Sequence, residues 1–420
     1  MFFFTFLPIR SKINHEIFSS EGIFMSAFLP VMFCLVYFTS YITRINYGAV
    51  IAEVILDLGI TKGEAGLAVT GCFIFYGLGQ PIVGWLGDRI APKHLITIGL
   101  LGTAICNGFA SMQKLPSVIA VIWCFNGFFQ SMIWPPLVRI MAETMSGDSY
   151  RKTCVNVITA ANAGTVLVYL AAPMLIRIGT WRLILILPSA IAVLTALIWL
   201  LFVKAGQTSK MTPKTDPKSG SMSIGRLSAM SGIPFILCAI LLQGFLKDGI
   251  TTWMPSYINE SFSLGTGISI LTTTVLPVFA IICVRISAKV YDRCRKNELI
   301  ASILFFGIAS VSCILLYLND HQIVISVVLM AIICGCSHAV NQMLISNMPV
   351  RYTPYGRVST ISGVFNAFTY VGSSLSAYGF AALADRYGWK PLILVWAFCS
   401  VGGTVMCVMN LKKWTGFIVH

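Results

Sequence analysis

Twelve apolar runs, each long enough to cross a bilayer core of about 30 Å as a helix, set the limits on how this chain folds. They fall at 27–55, 65–86, 93–113, 117–144, 152–177, 181–203, 230–258, 264–290, 298–318, 322–349, 356–385 and 390–412. Only 10% of the 420 residues are charged, and 57% are hydrophobic. No soluble domain has that balance, and lipid leaves backbone polar groups no partner outside their own helix or a closed barrel. The runs therefore predict an all-α integral membrane protein of twelve transmembrane helices.

The net charge of +14 would point to nucleic acid in a soluble protein. Here the cations lie between the spans, so they read as topology and no nucleic-acid partner is expected. Arg89, Lys93, Arg151, Lys152, Lys289, Arg293, Arg295, Lys296, Arg351 and Arg357 all fall on one side if both termini are cytoplasmic. The stretch KAGQTSKMTPKTDPKSGSMSIGR, Lys204 to Arg226, is polar and rich in Pro, Gly, Ser and Lys. It reads as a flexible linker. The expected division is a tail at 1–26, a six-helix bundle at 27–203, a cytoplasmic linker at 204–229 and a second bundle at 230–420. The tail is too broken by Pro8, Arg10 and Lys12 to span and reads as interfacial; a start at Met25 fits equally well.

The 13 cysteines show no CxxC pair and no Cys/His metal spacing, and most lie inside apolar spans, where Cys behaves as a small hydrophobe. Neither disulfide, metal nor cofactor is expected. P-loop, HExxH and GxSxG signatures are absent from the sequence, so neither ATP hydrolysis nor enzyme chemistry is indicated.

One charge stands inside the first span. Arg44 lies in AFLPVMFCLVYFTSYITRINYGAVIAEVI, with no acid on the same run before Glu53. A cation at such depth costs about 2.5–3.5 kcal/mol on insertion scales unless it faces water or a partner. Tyr37, Ser40, Tyr41 and Tyr47 are hydroxyl-bearing neighbours at helical spacing. The pattern reads as an anion site; an acid on another helix is the alternative.

The two halves repeat at nearly one offset: Arg44 with Lys247, Asp57 with Glu260, Asp88 with Asp292, Asn162 with Asn366, and Trp181-Arg182 with Trp389-Lys390. Parallel six-helix repeats place a solute site at their interface near the midplane and imply a rocking two-bundle carrier. Lys247 then supplies a second cation for an anion. Its alternative is a local pair with Asp248, although adjacent helical residues point about 100° apart. Asp248 is itself a candidate proton-coupling residue. Asp88, Arg89 and Arg139 are expected to form a cytoplasmic gate through a salt bridge, mirrored by Asp292 with Arg293 or Arg351. Arg89 and Arg293 fit ordinary topology charge equally well. His338, with Asn341 and Gln342 a turn on, is either a packing residue or part of the polar site.

GWLGDRIAPK, Gly84 to Lys93, resembles the loop between helices 2 and 3 of the major facilitator superfamily, with Ala91 and Pro92 departing from its Gly-Arg. The D-R-x-x-P-K/R form is similar to the organophosphate:phosphate antiporter family. QSMIWPPLVRIM resembles that family's helix 4, YITRINYGAVIAEV its helix 1, LKDGITTWMPSYI its helix 7 and NAFTYVGSSLSAYG its helix 11. The resemblance implies the major facilitator fold, with two arginines, one per bundle, holding a phosphoryl group. Arg44 falls on the first position and Lys247 on the second, a point charge replacing a planar fork. Tyr37, Tyr41, Tyr370 and Trp134 fall on the family's site tyrosines and tryptophan. Gln80 stands where the glycerol-phosphate type has a lysine, and Asn162 where it has a histidine, so the cavity is less cationic. The implied function is secondary active transport of a small organic anion by alternating access: phosphate exchanged for a phosphorylated metabolite. A proton-coupled symporter of an organic or sugar acid and a non-transporting sensor of a phosphate ester are the alternatives. The expected partners are that anion and the lipid bilayer, with the chain a monomer in a plasma or bacterial inner membrane.

Overall fold

The structure, a computed structural model, describes residues 20–60, 62–145, 147–203, 224–263, 272–319 and 321–419. Most of the expected tail and linker, and the start of the eighth span, lie outside the described residues. In chain order the long helices are α1 (Ser20–Ala49), α2 (Lys62–Gly87), α3 (Pro92–Ser111), α4 in two pieces (Pro116–Ser131 and Trp134–Thr144), α5 (Gly147–Ile178) and α6 (Leu183–Phe202). The second half has α7 (Ile233–Phe262), α8 (Val275–Arg293), α9 (Glu298–Leu318), α10 (Ile323–Asn341), α11 (Val358–Tyr387) and α12 (Trp389–Val419). Ten of the twelve are long and apolar enough to cross a membrane by composition alone. The other two are α8, which holds Arg285, Lys289, Asp292 and Arg293, and α11, which is rich in Ser, Thr, Gly and Asn. The chain is a multi-pass membrane protein.

Three spans differ from straight helices, each for a local reason. The first run stops at Ala49 and resumes as a short helix, Ile51–Leu58, closed by Gly59 in the left-handed region at φ 63°. Within the fourth run, Pro135 and Pro136 lack the N–H groups that would bond back four residues, so the helix breaks after Ser131 and restarts at Trp134. Beyond α10 the backbone widens into a π-turn at Gln342–Asn347 and then tightens into a 3₁₀ helix at Met348–Tyr355, which contains Pro349 and Pro354.

Packing sorts the helices into two groups. Within the first, α1 lies on α5 and α6, α2 on α4, and α3 on α4 and α6; within the second, α7 lies on α10, α11 and α12, α9 on α10 and α12, and α8 on α10. The groups meet through α2 against α11 and α5 against α8. Glycines allow the first of these contacts. A Cβ on Gly363 would stand 2.3 Å from the Gln80 carbonyl oxygen and 3.0 Å from Gly84 Cα. Two backbones at that separation leave room for hydrogen only.

The repeat is visible as one hydrogen bond made twice. Trp181 Nε1 donates to Asp57 Oδ2 at 2.9 Å, and Trp389 Nε1 donates to Glu260 Oε2 at 2.9 Å. In the first half Arg182 adds an ion pair to Asp57 at 2.8 Å. Hydrogen bonds from Trp181 and Arg182 hold the Asp57 carboxyl below its ordinary value of 3.8. The folded state therefore binds that proton more weakly than the unfolded state. The stabilisation is complete above about 3.8 and is lost as pH falls through the lowered value. Asp57→Asn is expected to lower the unfolding midpoint slightly at neutral pH, the pair being half exposed, with the difference from wild type closing on acidification. Thermal unfolding of both proteins across pH measures this.

Candidate functional site

Between the two groups lies a small, partly open cavity lined by Tyr37, Tyr41, Trp134, Ile158, Asn162, Lys247, His338, Asn341, Ile345, Asn366 and Tyr370. Tyr37, Tyr41 and Arg44 lie on one face of α1, spaced i, i+4, i+7. The break in α4 starts a new helix at Trp134, whose ring lies 4.7 Å from that of Tyr37. The indole N–H of Trp134 is buried with no hydrogen-bond partner. That donor is unspent at the cavity wall.

Arg44 is not itself a lining residue; it stands behind Tyr41 and Tyr370, which line the cavity. Its Nη1 donates to the Tyr370 hydroxyl on α11 at 2.9 Å, which links the two groups directly. The guanidinium carbon lies 4.3 Å from the Tyr41 ring centre and 5.0 Å from that of Tyr76. Cation–π contacts of this kind contribute about 0.5–2 kcal/mol each. No carboxylate among the described residues pairs with Arg44. Tyr76 packs edge-on to Tyr370 at 4.4 Å and accepts from Asn366 Nδ2 at 3.3 Å. Nothing in the spacing of α2 relative to α1 marked Tyr76 beforehand; Asn366 was visible only as the repeat mate of Asn162.

Two hydroxyls expected around Arg44 face elsewhere. Ser40 donates to Gln130 Oε1 at 2.5 Å, and the Tyr47 hydroxyl donates to the Ala65 carbonyl at 3.3 Å. They turn to neighbouring helices on the flank of α1 beside Arg44, where Gln130 also donates to Thr43 and Thr103, and Asn107 donates to the Thr43 carbonyl. This buried polar network holds α1 against α3 and α4, and it leaves the Arg44 face free for the cavity.

Lys247 lines the cavity and also makes the local pair that stood as its alternative. Its ammonium lies 3.4 Å from Asp248 Oδ1 despite their adjacency on α7, because the flexible lysine stem folds back. Asp248 in turn accepts from the Ser373 hydroxyl of α11. Lys247 is therefore a buried cation with a counterion, and Arg44 a cation without one. His338 and Asn341 line the wall contributed by α10, and Asn162 donates to the Ile158 carbonyl at 2.9 Å. Gln80 does not reach the cavity. It lies one turn beyond Tyr76, fully buried against Gly363, and neither amide atom has a partner.

At the end of the molecule holding the α2–α3 loop, the expected salt bridge between Asp88 and Arg139 is replaced by two separate arrangements. Asp88 caps α11 from across the group boundary, accepting from Ser359 N and Thr360 N at 2.9 Å each and from the Thr360 hydroxyl. Backbone donors at a helix start outcompete a side chain that has a nearer acid. That acid is Glu143, whose Oε1 lies 2.6 Å from Arg139 Nε, while Arg139 Nη1 donates to the Gly87 carbonyl. Burial pushes the Asp88 carboxyl above its ordinary value, although the Thr360 and Ser359 bonds and the Arg139 charge favour its ionised form. Arg89 points outward and stacks 3.8 Å over Trp85.

The mirror contact uses a different cation from those expected. Asp292 pairs with Arg151 at the start of α5, and Arg151 also engages Asp148. Arg351 instead holds Glu298 at 2.9 Å and the Tyr291 hydroxyl at 2.9 Å. Arg293 is exposed, with no ion pair among the described residues. Tyr150 of α5 donates to the Ser346 carbonyl in the π-turn after α10. Contacts across the group boundary thus close this end of the molecule.

The chain belongs to the Major Facilitator Superfamily, whose family model matches residues 33–377. It is 25% identical to a glycerol-3-phosphate transporter of Bacillus subtilis over 377 residues, covering 83% of this chain and 84% of that one. It is 22% identical to the membrane sensor protein UhpC of Salmonella typhimurium over 86% of each chain. Among solved structures it resembles the proton:xylose symporter XylE, with a TM-score of 0.72 at 12% identity over 94% of this chain and 97% of that one.

The Asp88 cap yields a test. Asp88→Ala strips three donors at the start of α11 of their acceptor, a loss of about 0.5–2 kcal/mol for a helix cap. The distance between probes on the α2–α3 loop and the start of α11 should lengthen or broaden, whereas Arg89→Ala should leave it unchanged. Spin-label distance distributions read both.

Proposed function

We propose that this chain is a secondary transporter of a small organic anion, working by alternating access and exchanging inorganic phosphate for a phosphorylated metabolite. One observation carries the reading. Arg44, with no carboxylate partner among the described residues, bridges to the opposite group through Tyr370, behind the wall of a cavity lined by Tyr370, Lys247 and Trp134, whose buried indole N–H has no partner. A phosphoryl group has the charge and the multiple acceptors that this set lacks. Relatives named for transport of glycerol-3-phosphate, hexose phosphate and phosphoglycerate support the same class.

In this mechanism Arg44 supplies a two-pronged donor, Trp134 a third hydrogen bond and Lys247 its remaining ammonium protons. Tyr37, Tyr41, Tyr370, Asn162, Asn366 and His338 shape the wall around the rest of the solute. Gln80 takes no part. Binding neutralises Arg44 and ties the bundles 27–203 and 230–420 together through the solute, so closure depends on occupancy. Asp88 on α11 and Arg151 on Asp292 act as the cytoplasmic gate, with Arg139 and Arg351 supporting it from behind. The chain works as a monomer in a plasma or bacterial inner membrane with both termini cytoplasmic, around the linker at 204–229.

A second reading is favoured by the placement of Asp248 beside Lys247 and Ser373. An acid so placed takes up a proton when Lys247 turns to an anion, which makes the carrier a symporter of an organic acid.

Labelled phosphate uptake into proteoliposomes separates the readings. Uptake should occur only into vesicles loaded with phosphate, fall about 10- to 150-fold in Arg44→Ala, as for loss of a hydrogen bond to a charged group, and survive in Asp248→Asn. Uptake into empty vesicles with an inward proton current, abolished in Asp248→Asn, supports the symporter. Ligand binding without flux places the chain beside the sensors.

A further inference from the structure

The outer face of α8 carries cations that the transport reading leaves unused. Val278, Ile282 and Ile286 are exposed along this helix, as residues facing lipid are. Arg285, Lys289 and Arg293 share that stripe at intervals of four residues, and all three are exposed. None has a hydrogen bond or ion pair among the described residues. The nearest acid in sequence, Asp292, is committed to Arg151 of α5. Arg285 lies eight residues before the end of α8, about 12 Å along the axis at 1.5 Å per residue, level with the exposed apolar residues Ile282 and Ile286.

The fold itself does not demand this arrangement. At the repeat offset of 204 that relates Asp88 to Asp292, the corresponding positions on α2 are Pro81, Trp85 and Arg89. There the exposed face is apolar through Ile82 and Trp85, and its one cation stacks on Trp85. The second half replaces an aromatic surface with a ladder of three cations.

We infer that the stripe Arg285–Lys289–Arg293 on α8 is a binding site for an anionic phospholipid. The headgroup phosphate is held by Arg285 and Lys289, and the acyl chains lie along Val278, Ile282 and Ile286. Arg285 extends toward the helix end to meet the phosphate, its stem covering apolar surface. A lipid phosphate is the counter-charge available at that depth, whereas free phosphate has no path to a lipid-facing stripe. Charge complementarity selects anionic over zwitterionic headgroups.

The test is lipid retention on the full-length protein. Purified protein is delipidated in detergent and titrated with phosphatidylglycerol or cardiolipin, and bound lipid is counted by native mass spectrometry, with phosphatidylcholine as the zwitterionic comparison. Wild type should hold at least one anionic lipid in preference to phosphatidylcholine, and excess inorganic phosphate should not displace it. The double variant R285Q/K289Q should weaken that binding about thirtyfold, the size expected for two cations facing a lipid surface. R89Q on the mate face should change nothing, and R285K should restore most of the loss in R285Q. Equal retention by R285Q/K289Q, with an unchanged unfolding midpoint showing that it folds, overturns the inference. So does equal retention of phosphatidylcholine, or displacement by inorganic phosphate.

Discussion

A guanidinium inside a membrane-spanning helix must be satisfied from within the protein, and much of this architecture can be understood from how Arg44 is satisfied. Two aromatic rings and one hydroxyl do it, from α1, α2 and α11, with no carboxylate among them. Tyrosines lower the cost of burying the charge without cancelling it. In the proposed function the remaining positive potential is available to a solute; the hydroxyl that bonds Arg44 comes from the opposite group of helices. The same contact therefore concerns affinity for an anion and the relative position of the two halves.

The rest of the first bundle can be seen as support for that residue. Thr43, Asn107, Gln130 and Thr103 share a buried hydrogen-bond network on the flank of α1 beside Arg44, so rotation of the helix would break several bonds at once. At one end of the molecule, α2 and α11 approach to backbone contact through Gly84 and Gly363, and Asp88 caps α11. A cap held by one carboxylate against backbone donors is strong enough to favour a closed end. It is also weak enough to release when solvent replaces it. In the proposed cycle, that modest strength lets solute binding shift the balance.

Much of the fold was legible in the residues because apolar run length and the repeat are both one-dimensional signals. Asp57 matches Glu260 and Trp181 matches Trp389 across the repeat, and the structure joins them as matching hydrogen bonds. Helix interruptions were less legible. The Trp134-Pro135-Pro136 break needed the missing N–H groups to be weighed against an otherwise apolar run, and the π-turn after Asn341 leaves no compositional mark. Among the candidate site residues, those on α1 and the pair His338 and Asn341 on α10 could be grouped by helical spacing, but Tyr76 and the true partners of Asp88, Arg139 and Asp292 depend on contacts between helices. The pairing of Lys247 with Asp248 shows the limit of angular reasoning: a long flexible stem covers the 100° that separates neighbouring residues.

Equilibrium binding of glycerol 3-phosphate against glycerol, by calorimetry on wild type and Arg44→Lys, tests the central claim most directly. The claim is that the uncompensated charge of Arg44 selects an anionic solute and that its planar fork grips the phosphoryl group. The account predicts that wild type binds the phosphate ester and not the alcohol, and that Arg44→Lys keeps the preference for charge at an affinity at least about tenfold lower, a cost of roughly 1.4 kcal/mol. Equal affinity for the two solutes, or undiminished ester binding in Arg44→Lys, would contradict it.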